Sequence, residues 1–444
     1  MTVTAEASPR LVEINPERGF FRVHRSAYLS PEVYEREVAL IFRKCWLYVG
    51  HQSELPNNGD FVSRRVGGYD LVFARSRKGE LGAYFNNCTH RGARVCRERS
   101  GNARNFVCPY HGWVYGTDGK LLSMATDHGY AADANADGRL NLRAVPRLEE
   151  YRGFYFVNYN PRAISLYDYL ADGRSVFDNL CDQAETGQVI LKGEHSYTIR
   201  ANYKLLVENS YDGYHLTSVH ASYLDFLRDR VAGNPAGLAQ LDETVRGFQT
   251  SGRARGLGMG HAILDSLVPT GRPIAQWVPP FGPEVRPEIE AKRAWLENKF
   301  GKERADYMAD YQKNAVIFPN LVINDILAVT VRYIEPAGPD FMSVTAWAMG
   351  PTDESAALRK IRLDNFISFL GPAGFGSPDD IEMLEMCQRG NAHSMVEWSE
   401  ISKGAQDNMD MLHAVGLPDD ERHMQAYWTM WDRVIGGEET LEQT

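Results

Sequence analysis

Long apolar runs are missing from this 444-residue chain. The longest, such as Leu205-Leu206-Val207 and Ala315-Val316-Ile317-Phe318, fall far short of the roughly 18 residues a membrane helix needs, so no spanning segment is expected. No basic segment followed by an apolar stretch opens the chain, and a cytoplasmic location is expected on that ground. Basic excess is absent too. With 58 acidic against 48 basic side chains the formal net charge is −10, which argues against a nucleic-acid partner, because phosphate binders cluster basic charge. Cysteine is sparse: Cys45, Cys88, Cys96, Cys108, Cys181 and Cys387 make no dense framework of the kind small secreted domains use. The run Gly256-Leu257-Gly258-Met259-Gly260 lacks the G-x-G-x-x-G spacing of a dinucleotide-binding turn. With Gly and Pro frequent over 231–287, it reads as a lid or entrance loop. No repeat or low-complexity tract stands out.

What the chain does have is Cys88-Thr89-His90 and, further on, Cys108-Pro109-Tyr110-His111. Two loops that each deliver one Cys and one His supply the two thiolates and two neutral imidazoles of a Rieske [2Fe-2S] cluster. Gly92 and Gly112 follow the histidines closely and let backbone approach a cluster. A zinc finger would pair Cys with Cys and His with His, which this order does not.

A second set lies in Glu208-Asn209-Ser210-Tyr211-Asp212-Gly213-Tyr214-His215, with His220 beyond it. Two histidines and a carboxylate make the facial triad of non-heme Fe(II) oxygenases, with positions left open for oxygen and substrate. Glu208, Asp212 and His215 fall at i, i+4 and i+7, one face of a predicted helix. His220 does not: five residues at 100° put it about 140° from His215, so the helix must end or distort between them. The third ligand is sought in Ser377-Pro378-Asp379-Asp380, where Ser377 can cap a helix and Pro378 open it.

With these motifs the chain resembles the large subunits of Rieske non-heme iron aromatic ring-hydroxylating dioxygenases, most of all those acting on benzoate, anthranilate or p-cumate. The resemblance implies Cys88, His90, Cys108 and His111 as cluster ligands, and His215, His220 and Asp380 as iron ligands, with Asp379 as the alternative acid. Asp212 is similar to the family's bridging acid, which joins an iron-ligating histidine to a cluster-ligating histidine, here His111, on a neighbouring subunit. It further implies O2 as co-substrate, NAD(P)H acting through a reductase or ferredoxin, a trimer, and a small β subunit in an α3β3 assembly. The activity implied is conversion of an aromatic ring to a cis-dihydrodiol. Monooxygenation or demethylation, dioxygenation of neutral polycyclic aromatics, and a Rieske electron-transfer protein are the competing readings. A carboxylated monocyclic substrate would need a buried guanidinium, for which Arg332 is the candidate. Val207, Leu216, Phe226, Ile323, Phe366 and Phe369 are candidates for an apolar pocket.

The expected fold class is α+β: a β-rich Rieske domain and a helix-grip catalytic domain with an antiparallel sheet. Boundaries are expected at 1–39 for an N-terminal arm and helix joining the catalytic domain, 40–160 for the Rieske domain and 161–444 for the catalytic domain. Ser30 and Pro31 open a helix, and Gly67-Gly68 joins the strands of a hairpin. A charged helix is predicted over 287–312, strands near 321–323, 327–332 and 342–347, and a helix pair over 355–370 and 378–388.

Overall fold

The computed structural model describes residues 10–230, 232–267, 271–393, 395–407 and 410–443. The chain divides into two compact units: Val38–Tyr169 with the residues from Leu441 on, and the arm through Glu37 with the chain from Leu170 to Thr440.

The first unit is built from small antiparallel sheets. Asp60–Val66 pairs with Tyr69–Arg75, Val66 opposite Tyr69, across the predicted two-residue turn. Gly67 and Gly68 there take φ of +56° and +87°, which few other residues tolerate. The first Cys-His loop leaves the Leu81–Phe85 strand, and the second caps the hairpin of Asn105–Val107 and Val114–Gly116. Phe61, Val72, Phe106, Trp113 and Tyr115 form the core that carries Cys88 and Cys108.

In the second unit a nine-stranded sheet runs in the order Gln188–Ile190, Phe341–Pro351, Val329–Gly338, Leu321–Asp325, Tyr311–Ile317, Ala262–Leu267, Gly252–Gly256, Val415–Gly416, with His195–Ile199 also on Phe341–Pro351. Its strand pairs are antiparallel. Alternation fixes what each face carries. Leu264, Asn314 and Asn324 stand in one cross-strand row, and Asp265, Lys313 and Asp325 in the next, on the opposite face. The helix Arg422–Gly436 is buried along most of its length.

Two segments depart from expectation. The glycine run is no lid: Gly256 ends one strand, Ala262 begins its partner, and the residues between are a buried turn of the main sheet. A Cβ on Gly260 would come within 2.7 Å of Met430, and one on Gly256 within 2.9 Å of Ala426, so these glycines admit the C-terminal helix. Residues 231 and 268–270 of the expected entrance loop lie outside the described residues. The charged stretch is two helices, Arg286–Phe300 and Lys302–Asp310, broken at Gly301 with φ +80°, and a strand, Tyr311–Ile317, follows directly. Packing of Ala315, Val316 and Ile317 against neighbouring strands overrides the helical charge pattern before them.

One buried pair ties the arm to this unit. Lys204 and Glu37, both fully buried, meet at 2.6 Å, and the same Glu37 oxygen accepts from Trp431 at 2.7 Å and Tyr203 at 3.2 Å. Removing one partner strands a buried charge, which typically costs about 3–5 kcal/mol, whereas removing both is far cheaper. Lys204→Met is expected to lower the urea midpoint of this unit's Trp-reported transition strongly, and Lys204→Met with Glu37→Leu to recover most of the loss.

Candidate metal centres

The two Cys-His loops share one backbone pattern. Cys88 N–H donates to Ala93 O and Gly92 N–H to Cys88 O; Cys108 N–H donates to Trp113 O and Gly112 N–H to Cys108 O. Gly92 and Gly112, each four residues after the cysteine, take φ of +75° and +68°. Both thiols are buried. His90 and His111 lie with ring centroids 4.5 Å apart, and Trp113 stacks on His90 at 5.0 Å with an interplanar angle of 4°. Tyr115 Oη sits 3.1 Å from Cys88 Sγ and 3.0 Å from Thr89 Oγ1.

The second centre begins where a helix stops. Asn202 caps Tyr203–Asn209 through Lys204 N–H, but at Ser210 the sheet takes over: Asn324 Nδ2 donates to Ser210 O at 3.2 Å and Arg332 Nη2 to Ser210 Oγ at 3.1 Å. Asp212 therefore lies beyond the helix, and the one-face arrangement of Glu208, Asp212 and His215 is not what forms. Gly213 is required by crowding, since its Cβ would fall 2.2 Å from Pro418 O. Asp212 Oδ1 then accepts Tyr214 N–H at 2.7 Å, an Asx-type turn. A single turn, Leu216–Val219, separates His215 from His220.

His215, His220 and Asp380 converge with ligand atoms all within 4.8 Å of one another. His215 Nε2 lies 3.2 Å from His220 Nε2 and 3.5 Å from Asp380 Oδ1, and His220 Nε2 3.4 Å from that oxygen. Asp380 is buried in the first turn of Ser377–Ala392. Asp379 is turned away and accepts from Ser222 Oγ at 2.9 Å. Ser377 is not a cap: it lies inside the helix and donates to Leu370 O.

Electrostatics suit a cation. Burial pushes the His215 imidazole down, but the bond from its Nδ1 to Asp212 Oδ2, 2.9 Å long, that acid's charge and Asp380 outweigh it and hold His215 above the ordinary value. Burial raises the Asp212 carboxyl, but His215, the Tyr214 N–H and His423 together more than reverse the effect and hold it below the ordinary value. His220 is lowered by burial, which Asp380 only partly offsets. A carboxylate behind a ligating imidazole fixes the ring and raises its basicity.

Of the pocket candidates, Phe369 packs on His220 at 5.6 Å, and Phe226 stacks on Phe375 at 4.5 Å. Phe366 stacks on His195 and clusters with Leu191, Ala346 and Ala348. Val207 is buried in its helix, and Leu216, half-buried, follows His215. Arg332 shares the Asn324 face of the sheet. Ile323, by alternation, points to the other face and is separated from Arg332. Sequence reasoning missed Asn209, whose Nδ2 donates to Asp380 Oδ1 at 3.0 Å, although its place beside Glu208 in the motif was a signal. It also missed Tyr223, 4.9 Å from Phe369, which no motif marks.

A model of the Rieske [2Fe-2S] domain matches residues 45–132, and one of the ring hydroxylating alpha subunit catalytic domain matches 190–437. The chain belongs to the ring-hydroxylating alpha subunits. It is 32% identical to a 2-halobenzoate 1,2-dioxygenase large subunit of Burkholderia cepacia over 92% of this chain and 84% of that one. It is 34% identical to an anthranilate 1,2-dioxygenase large subunit of Acinetobacter baylyi over 88% and 82%. Naphthalene 1,2-dioxygenase from Rhodococcus sp. superposes with a TM-score of 0.79 at 26% identity, covering 94% and 95%. A ring-hydroxylating alpha subunit is an oxidoreductase with a Rieske cluster and a mononuclear iron, taking O2 and electrons from a reductase or ferredoxin. The electron-transfer reading is thereby set aside. Among the described residues no helix is long and apolar enough to cross a membrane.

The donors fit both groups. Buried thiols beside two adjacent imidazoles, with His90 Nδ1 buried and otherwise without a partner, match a Rieske cluster. His220 and His215 with one carboxylate match Fe(II).

Behind the iron site, Glu208 accepts from Tyr28 Oη at 2.8 Å and Trp428 Nε1 at 2.6 Å. Burial pushes its carboxyl up to about 7, against the lowering effects of Tyr28, Trp428 and Lys204. A raised folded-state pKa stabilises below the unfolded value, and that contribution is lost as pH rises through about 7. Glu208→Gln keeps the acceptor without the charge. Its unfolding free energy, read from thermal melts, should match wild type near about pH 5 and exceed it near about pH 9 by on the order of 1–3 kcal/mol.

Proposed function

We propose that this alpha subunit is the terminal oxygenase that converts a carboxylated monocyclic aromatic to a cis-dihydrodiol in the cytoplasm, with His215, His220 and Asp380 holding Fe(II) and Cys88, His90, Cys108 and His111 holding the cluster. The convergence of the three ligand side chains carries this reading. Relatives named for 2-halobenzoate, anthranilate and toluate support the substrate class.

Fe(II) held by His215, His220 and Asp380 would supply O2 activation, and a cluster held by Cys88, His90, Cys108 and His111 would supply the reducing electrons. The chain does the rest. Asp212 holds the His215 ring, and Asn209 fixes the orientation of the Asp380 carboxylate. Phe369 and Tyr223 offer an aromatic wall beside His220, which suits stacking of a ring and exclusion of water. Arg332, 3% exposed, has one bond to Ser210 and a buried Nε without a partner, the condition of a guanidinium awaiting a carboxylate. Asp212, with its side chain 20% exposed, bridges to His111 of the partner subunit in an α3 or α3β3 assembly, a heterologous contact that closes into a ring.

Metal analysis should give roughly three irons per chain, two in the cluster and one alone. His215→Ala should abolish product and drop iron to roughly two while keeping the Rieske EPR signal; an active variant would remove the assignment. Oxygen uptake with matched reductase should favour benzoates over biphenyl or naphthalene. Arg332→Met should raise KM for the carboxylated substrate by roughly tenfold to a hundredfold, the worth of a charged hydrogen bond, and leave neutral aromatics unaffected.

A further inference from the structure

The face of the sheet turned away from the iron ligands carries a cavity of about 1030 Å³. Ile263, Ala315 and Ile323 form one cross-strand row on its floor, and Asp265, Lys313 and Asp325 the next. No iron or cluster ligand lines it.

The charges on and beside its floor are unevenly matched. Asp325 is taken by Arg272, which also donates to Met308 O, Tyr311 O and Ile326 O, and by Gln183 Nε2 at 2.7 Å. Asp265 is taken by Arg255 and by Tyr307 Oη at 3.1 Å. Lys313, 4% exposed, is left with Tyr311 O at 2.8 Å and a long 3.7 Å approach to Asp325. Three cationic side chains thus face two carboxylates. Arg255 Nε is buried with no acceptor. A buried donor without an acceptor costs free energy until one arrives. Both donors stand about the same ring: Lys313 Nζ is 4.6 Å from the Tyr307 centroid, and Arg255 Nη2 3.1 Å from its hydroxyl. Burial and the nearby Arg272 push the Lys313 ammonium down to about 7, so an anion beside it would be favoured by restoring its charge. Exposed Arg253, Lys302 and Arg304 also line the cavity, with Glu303 and Asp306 among them.

We propose that this cavity is a second ligand site, for a small organic carboxylate, which sets its carboxylate on Lys313 and Arg255 and its apolar body on Ile263, Ala315 and Ile323. The site stands apart from the iron centre and does not rest on the assignment of Arg332.

Calorimetric titration of benzoate into the holoenzyme, with O2 and reductase omitted, tests it, alongside cyclohexanecarboxylate and neutral benzyl alcohol. The expected result is a benzoate site that Arg332→Met leaves intact and that Lys313→Met and Ala315→Phe each weaken at least tenfold, while both variants retain product formation. Cyclohexanecarboxylate should occupy it and benzyl alcohol should not. Ala315→Phe fills the floor without removing a charge, so it decides the matter if Lys313→Met does not fold. Wild-type protein that binds no benzoate, or binds it only where Ala315→Phe has no effect, would overturn the proposal. So would equal binding of benzyl alcohol. Loss of the sole benzoate site in Arg332→Met would instead support the iron-side reading and sink this one.

Discussion

Ser210 is the point on which the second unit turns. An ordinary continuation of the helix would have bonded its carbonyl four residues ahead. Asn324, reaching from the sheet, takes the carbonyl instead, and the chain leaves the helix axis. That departure places Asp212 behind His215, and the single turn after it brings His220 back to the same point in space. A sheet side chain thus decides where two histidines of a local motif meet, and a helix from far along the sequence supplies the acid that completes them.

The motifs were legible because their chemistry is local. Cys-x-His and Cys-x-x-His offer their candidate donors within a few residues, and the loop glycines announce the left-handed backbone that their hydrogen bonds require. Asp380 was singled out only through its likeness to relatives, since an acid in a first helical turn has reasons of its own to be there; the structure buries it beside His215 and His220 and gives Asp379 to Ser222. The misreadings came from tertiary effects. The helical pattern that carries Glu208, Asp212 and His215 failed at Ser210 because Asn324, from the sheet, competed for its backbone carbonyl. The glycine run resembled a loop because close approach to Met430 and Ala426, like flexibility, calls for glycine. Charge periodicity through residue 310 hid the strand that follows, and nothing in a strand's composition told which way Ile323 faced.

The same alternation gives the catalytic unit its two chemistries. On one side of Tyr311–Ile317 and Leu321–Asp325 stand the amides of Asn314 and Asn324, which serve backbone and site architecture; on the other stand Lys313 and Asp325, in a row with Asp265 of the next strand. Desolvating so many charges is costly unless they satisfy one another, and the mutual pairing of Arg272, Asp325, Asp265 and Arg255 meets most of that demand. Where Glu37 gathers Lys204, Trp431 and Tyr203 on a single oxygen, this cluster remains one acceptor short.

Asn314 and Lys313 are neighbours in the chain but belong to different worlds, as are Asn324 and Asp325. Inserting or deleting a single residue in either strand would therefore turn over that strand's side chains beyond the change, setting Lys313 or Asp325 toward the Ser210 side and an amide into the opposite hollow. These strands can be altered letter by letter, but their length is frozen.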